Sequence, residues 1–236
     1  EKGRVDVVRV LIDAGADINK QDHMDQTPLH IASEKGRVDV VRVLIDAGVD
    51  VNTQDIAGRT SLGLAIENGH ADVVCLFIKA GADVNKLGNG RTIPLHIAIE
   101  NGHDDVVQVL IDAGADVNMQ DNHGMTPLGM ANEKGFIGVI KLLIIGGAKP
   151  LDEWTPLHVA AIKGDVSPFK TASKDSINQP DKAGRTPFWW ACALNHKDII
   201  QWLLTSGCVK VEEAVHVHSE MAQTLLQMVC LRGYAE

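Results

Sequence analysis

Apolar and polar residues alternate along the chain in a unit that repeats. In Thr27–Asn52, TPLHIASEKGRVDVVRVLIDAGVDVN, the first apolar set (Leu29, Ile31, Ala32) has helical spacing and ends at Gly36. Glycine takes the left-handed conformation that closes a helix, so a stop is expected there. The second set, Val38, Val40, Val41, Val43, Leu44 and Ile45, is apolar on more than one side and predicts a helix that neighbours must cover. Gly48 stops it. Asp50-Val51-Asn52 then leads through Gln54–Gly58, rich in turn residues, into the next unit. Pro28 suits a first helical turn, and Thr27 before it offers a hydroxyl cap.

The unit returns as TSLGLAIENGHADVVCLFIKAGADVN at 60–85 and as IPLHIAIENGHDDVVQVLIDAGADVN at 93–118, a step of 33 residues. Pro28, Ser61, Pro94 and Pro127 hold one column; Asn19, Asn52, Asn85 and Asn118 hold another. A fixed period of this size marks a repeat array. One copy cannot bury its own apolar face, so stability comes from stacking neighbours. The residues TPLHIA…G…VVxxLIxAGADVN resemble the ankyrin repeat over about 200 residues. The resemblance implies an all-α solenoid of helix-turn-helix pairs with short β-hairpin turns, and a binding surface rather than a catalytic pocket.

The array is expected over 1–210. A partial repeat fills 1–21, and full repeats start near Asp22, Asp55, Gly88, Asp121, Pro150 and Asp181. Together they should form an elongated stack. Glu1–Asp22 matches Glu34–Asp55 at all but three of 22 positions, so the chain opens in mid-repeat and further sequence is expected upstream. The linker Lys86–Thr92 is redistributed, and Ile93 takes the threonine column. In the fifth unit the turn is shortened, and Asp165–Ser176 lacks the valine pattern and contains Pro168. A short or irregular helix with weak packing is expected there. In the last unit Trp190 and Trp202 occupy stacking columns and read as core, while Asn195 replaces the helix-ending glycine. Val211–Arg232 has apolar residues at helical spacing and reads as a capping helix within 211–236.

The charge balance narrows the function. The net charge is −9, and no basic stripe runs along the chain, which argues against nucleic acid as the partner. No apolar run approaches the roughly 18–20 residues of a membrane span, and Glu1–Gly15 lacks a signal-peptide pattern. Cysteines 75, 192, 208 and 230 show no metal or disulfide spacing, and Cys75 falls on a helix expected to be buried. Reduced thiols fit an intracellular, cytoplasmic location, with the nucleus also open. A monomer is expected.

No cofactor, metal or catalytic motif is expected. His30, His96 and His158 recur in alternate repeats, which places them about 20 Å apart when helices stack at 8–10 Å, too far to share a zinc ion. They read as structural hydrogen-bonding groups. His216 and His218 with Cys208 and Cys230 mix ligand types at no common spacing. The hydroxyls of Ser167, Thr171, Ser173 and Ser176 read as a surface loop, with phosphorylation as the competing reading. The resemblance adds that Asn19, Asn52, Asn85 and Asn118 match an asparaginyl-hydroxylation pattern, beside their structural role in closing the turn.

The inner-helix ends carry Glu34, Glu67, Glu100 and Glu133 in strict register. A carboxylate at a helix C-terminus opposes the macrodipole, so helix stability does not explain them. The bland reading is inheritance from the repeat consensus. The functional reading is a concave groove that attracts a basic segment, with Arg59, Arg91, Met125, Trp154 and Ile162 beside it and Trp154 as an apolar anchor. The expected function is a non-enzymatic protein-interaction scaffold. The alternative is a regulatory or targeting module of a larger enzyme, channel or bacterial effector.

Overall fold

The computed structural model describes residues 2–85 and 93–209. The expected capping helix at 211–232 and the linker Lys86–Thr92 therefore lie outside the described residues. The helices are α1 (Lys2–Asp13), α2 (Pro28–Glu34), α3 (Val38–Asp46), α4 (Ser61–Glu67), α5 (Ala71–Lys79), α6 (Pro94–Glu100) and α7 (Asp104–Asp112). They continue as α8 (Pro127–Lys134), α9 (Ile137–Ile145), α10 (Pro156–Lys163), α11 (Lys174–Ile177), α12 (Pro187–Ala193) and α13 (Lys197–Thr205). Each of the first five full repeats after α1 begins with an inner helix, and all but the fifth continue with a nine-residue outer helix. Among the described residues there is no strand, only an isolated bridge between Gln54 and Thr60, so the hairpins are turns rather than ribbons.

The chain divides into two compact units, residues 1–130 and 131–236. In the first, inner helix packs on inner helix (α2 on α4, α4 on α6) and outer on outer (α1 on α3, α3 on α5, α5 on α7). The buried layer between them contains Leu29, Val41, Leu44, Ile66, Val74, Phe77, Leu95, Ile99 and Leu110. In the second, α10 packs against both α9 and α12, with Leu143, Ile162, Trp190, Ile199 and Leu203 inside.

Burial in this array is set by neighbours, not by residue type. Val43 and Leu44 are 5% and 3% exposed, yet their copies Val10 and Leu11 in the near-identical first unit are 65% and 53% exposed. The same side chain at the same helical position is core in one copy and surface in another, as nearest-neighbour stability requires. Cys75, expected to be buried on α5, is only half-buried.

Helix starts depend on the fourth residue of each inner-helix motif. Where it is histidine, threonine and histidine form a reciprocal capping box. Thr27 N–H donates to His30 Nδ1 at 3.1 Å, and the Thr27 hydroxyl meets the same nitrogen at 2.8 Å. Thr155 and His158 repeat both bonds. Where it is not histidine, the hydroxyl caps as expected: Thr60 Oγ1 accepts from Gly63 N–H at 3.1 Å, and Thr186 from Trp189 N–H at 3.2 Å. Ile93 breaks this arrangement, and Nδ1 of the buried His96 has no partner. Ile93→Thr is therefore expected to stabilise the chain by about 1 kcal/mol, read as a rise in the urea midpoint at unchanged slope.

The fifth repeat differs from its expectation in one respect. Its second half is irregular, a single 3₁₀ turn at Ser167–Thr171 followed by the four-residue α11. Packing there is not weak, however, because Phe169 and Ile177 are fully buried. In DVSPFKTASKDSI these two side chains suffice to anchor a segment too short for a valine stripe. Asn195 takes the left-handed conformation with φ 56°, as expected for a glycine substitute.

Candidate functional site

Three of the turns that join repeats, at 55–60, 121–126 and 181–186, share the pattern Asp-x-x-Gly-x-Thr. Asp55 Oδ1 accepts from the backbone N–H of Ala57 and Arg59 at 3.0 and 2.9 Å, which folds the turn around one carboxylate. Its other oxygen accepts from Arg59 Nε at 2.9 Å, with Nη2 at 2.8 Å. Burial pushes the Asp55 carboxyl up, but the Arg59 and Ala57 bonds and the guanidinium charge outweigh it and hold it below the ordinary range. Asp181 binds Ala183, Arg185 and the Arg185 guanidinium identically. In the second repeat Asp22 accepts from Met24 and Gln26, and Asp25, with φ 56°, stands where the others have glycine.

Histidines tie these turns to the preceding repeat. Nε2 of His30 donates to the Arg59 carbonyl at 3.2 Å, His96 to Met125 at 2.9 Å and His158 to Arg185 at 3.0 Å. Because Nδ1 of His30 and His158 accepts from a backbone N–H, both rings carry their single proton on Nε2. A second set points the opposite way. His70, His103 and His196 precede the outer helices α5, α7 and α13. They donate through Nε2 to the carbonyls of Glu34, Glu67 and Ile162 at 2.9, 3.0 and 3.2 Å. These bonds satisfy inner-helix C-terminal carbonyls that have no partner within the helix. The signal lies in the sequence, where Asn68-Gly69-His70, Asn101-Gly102-His103 and Asn195-His196 place a histidine just after each inner-helix stop.

Two of these histidines, both in the second unit, have lowered pKa values. Burial pushes His158 below the ordinary histidine pKa of 6.5, against the Arg185 carbonyl and Asp181. Burial and the nearby Lys141 do the same for His196. Both rings are neutral when folded and gain a proton more readily when unfolded. Their contribution is thus complete above pH 6.5 and is lost as the pH falls below it through the lower pKa of the folded state. We expect the urea midpoint of the second unit to drop between pH 7.5 and pH 5.5. His158→Gln should reduce that drop, and an unchanged midpoint would show that the rings carry no such linkage.

The glutamate row is built on this frame. In the first unit Glu34 and Glu67 are half-buried and Glu100 is exposed. Glu34 meets Lys35 Nζ at 2.7 Å, and Glu67 lies 3.9 Å from Arg59 Nη1. Burial raises the Glu67 pKa, Arg59 offsets part of that rise, and Asp55 adds to it. In the second unit Glu133 is exposed. Met125 is half-buried, its carbonyl held by His96. Arg91 lies outside the described residues.

Two expected site residues are not on the surface. Trp154 is 6% exposed, with its ring edge-on to Trp190 at 5.2 Å between centroids. The shortened turn draws it inward, where Trp190 and the Arg185 guanidinium, 4.5 Å from the Trp190 centroid, form a packed cluster. Ile162 is fully buried in α10. Neither residue presents a face for a partner, so the expected anchor at Trp154 is corrected.

The turn asparagines have structural work. Asn19 Oδ1 accepts from Asp50 N–H at 3.1 Å, and Asn85 Oδ1 from Asp116 N–H at 2.7 Å, each a link to the next repeat. Among the described residues no group of three or more His, Cys, Asp or Glu side chains converges on a point. The Cys208 of the mixed His/Cys set is half-buried, and its other members lie outside the described residues. The Cys192 thiol is buried and its pKa is pushed up to about 12. No described helix is long and apolar enough to cross a membrane.

Helix pairs, Asp-x-x-Gly-x-Thr turns and histidine ties between copies together define an ankyrin-type repeat array. The family model for ankyrin repeats (three copies) matches residues 1–88, 62–152 and 138–214, and the chain belongs to the ankyrin-repeat family. It is similar to osteoclast-stimulating factor 1 of Monopterus albus, 40% identical over 58 residues, which is 24% of this chain and 27% of that protein. The Danio rerio protein of that name is 42% identical over 52 residues, 21% of this chain and 24% of that protein. The matched stretch thus spans about a quarter of these relatives' length. An ankyrin repeat domain from Acinetobacter baumannii AYE, solved as a crystal structure, is 34% identical with a TM-score of 0.57. It covers 61% of this chain and 76% of that one. Ankyrin repeats generally mediate protein–protein interaction, and the fold is typically non-catalytic.

Proposed function

We propose that this chain is a non-catalytic interaction scaffold, acting as a monomer, whose glutamate-lined face binds an extended or helical protein segment rich in lysine and arginine. The observation that carries this reading is the row Glu34, Glu67 and Glu100. These carboxylates recur in register at inner-helix ends, where they do not favour the helix, and the backbones of Glu34 and Glu67 are held by histidines of the next repeat. Glu133 adds an exposed carboxylate in the second unit. Such a row raises the local concentration of basic segments and speeds their encounter. Each exposed pair contributes little affinity, at most about 1 kcal/mol, so the charges set rate and selectivity more than strength.

The test is surface plasmon resonance against a partner recovered by affinity capture. Converting Glu34, Glu67, Glu100 and Glu133 to glutamine should slow association, and more so at low than at high salt, while dissociation changes little. Association that is insensitive to all four substitutions at low salt would place the functional surface elsewhere.

A further inference from the structure

Trp154 being buried leaves the acidic face without the apolar anchor that tight binding needs, because most interface energy concentrates in a few desolvated apolar or aromatic contacts. Of the exposed large apolar residues, two sit together at turn tips of the first unit. Ile56 is 64% exposed and Met24 43% exposed, and the Ile56 N–H donates to the Met24 carbonyl at 3.0 Å, which sets the two tips side by side. Neither position is needed for the turn itself, whose shape comes from the Asp22 and Asp55 carboxylates and from backbone bonds. An isoleucine and a methionine at solvent-facing tips, where asparagine, histidine and lysine occur in other repeats (Asn122, His123, Lys182), are left unexplained by folding.

Arg59 links the Ile56 turn to the charged row. Arg59, three residues after Ile56, lies 3.9 Å from Glu67, and its charge is answered by Asp55. Around it stand the carboxylates of Asp55, Glu34 and Glu67 against the cations Arg59 and Lys35. That leaves the surroundings of Arg59 net negative, three carboxylates against two cations. Glu67, partly desolvated and only loosely paired, would gain from a second cation.

We propose that Met24 and Ile56 form the anchor subsite for the segment bound by the acidic face. The occupant is a protein segment in which a large aliphatic or aromatic side chain packs on these tips and a neighbouring lysine or arginine reaches Glu67 and Glu34. The proposal rests on the acidic face being the binding surface. The order of chemistry along the segment is the new content, apolar at the tips and basic toward the inner-helix ends.

A phage-displayed random linear peptide library selected on the whole chain tests it. Enriched peptides should carry Lys or Arg within a few residues of a large apolar side chain. The best of them, synthesised, should bind the Met24→Ser/Ile56→Ser variant about 10- to 100-fold more weakly. Ile145→Ser, which removes an equally exposed apolar group from α9, should leave binding unchanged. Basic peptides that lose binding with Glu67→Gln but ignore the double serine variant would overturn the anchor and leave the acidic face standing. Acidic peptides, peptides indifferent to both sets of substitutions, or a library that yields no binder would count against both.

Discussion

Trp190→Ala is expected to destabilise the second unit by about 3–5 kcal/mol, the range for removing a fully buried tryptophan. Trp190 is 0% exposed and sits edge-on to both Trp154 and Trp189, with centroids at 5.2 and 5.1 Å. It also carries the Arg185 guanidinium 4.5 Å from its centroid. Arg185 in turn binds Asp181 at 2.8 Å and Asn132 at 2.6 Å, and its carbonyl receives the His158 bond. Truncation would open a cavity and leave a mostly buried cation without the ring that covers it. Trp190→Phe keeps a ring and discards an N–H that has no partner, so it should cost only about 1–2 kcal/mol. All four tryptophans lie at 154 or beyond, so the fluorescence of the remaining three reports this unit alone. Urea denaturation followed in that way measures both variants. A loss below about 1 kcal/mol for Trp190→Ala would mean the cluster is not a core.

The second large effect concerns a close approach. Gly69 has φ +71°, and a Cβ placed on it would lie 2.6 Å from Nδ1 of His103. Gly135 has the same φ of +71° and nothing within 4 Å of such an atom. Gly135→Ala should therefore cost only the left-handed strain, about 1 kcal/mol. Gly69→Ala should cost about 2–4 kcal/mol, because the ring must move and its bond to the Glu67 carbonyl is lost. In a His103→Ala background the further cost of Gly69→Ala should fall back to about 1 kcal/mol. Equal costs at Gly69 and Gly135 in the unaltered background would show that the histidine yields freely.

Much of the fold was legible because the period is in the residues themselves. Gly36, Val41 and Leu44 recur in register, and a helix that cannot cover itself must stack. The tie between copies was less legible. His30 could be read as a hydrogen-bonding group, but its acceptor, the Arg59 carbonyl, lies 29 residues on, in the next turn. His70 and His103 escaped notice because an Asn-Gly-His step reads locally as a helix stop, and their acceptors lie 36 residues back. The anchor was misplaced for a related reason. A tryptophan in a turn looks exposed when only the turn is considered, and Trp154 is buried by Trp190, 36 residues away in sequence. Burial in a stacked array is a property of neighbouring copies, and a residue read within its own copy does not reveal it. The glutamate row was visible as a column, whereas the half-burial of Glu67 and its loose approach to Arg59 depend on packing.

The central claim is that recognition occurs on the acidic face together with the turn tips joined to it through Arg59. It is tested most directly by hydrogen–deuterium exchange of the chain with and without a bound basic, apolar-containing peptide. The account expects slower exchange in the turns at 22–27 and 55–60 and at the ends of α2 and α4, with α3, α5 and α7 unchanged. Protection confined to those outer helices, with the turns unaffected, would contradict it.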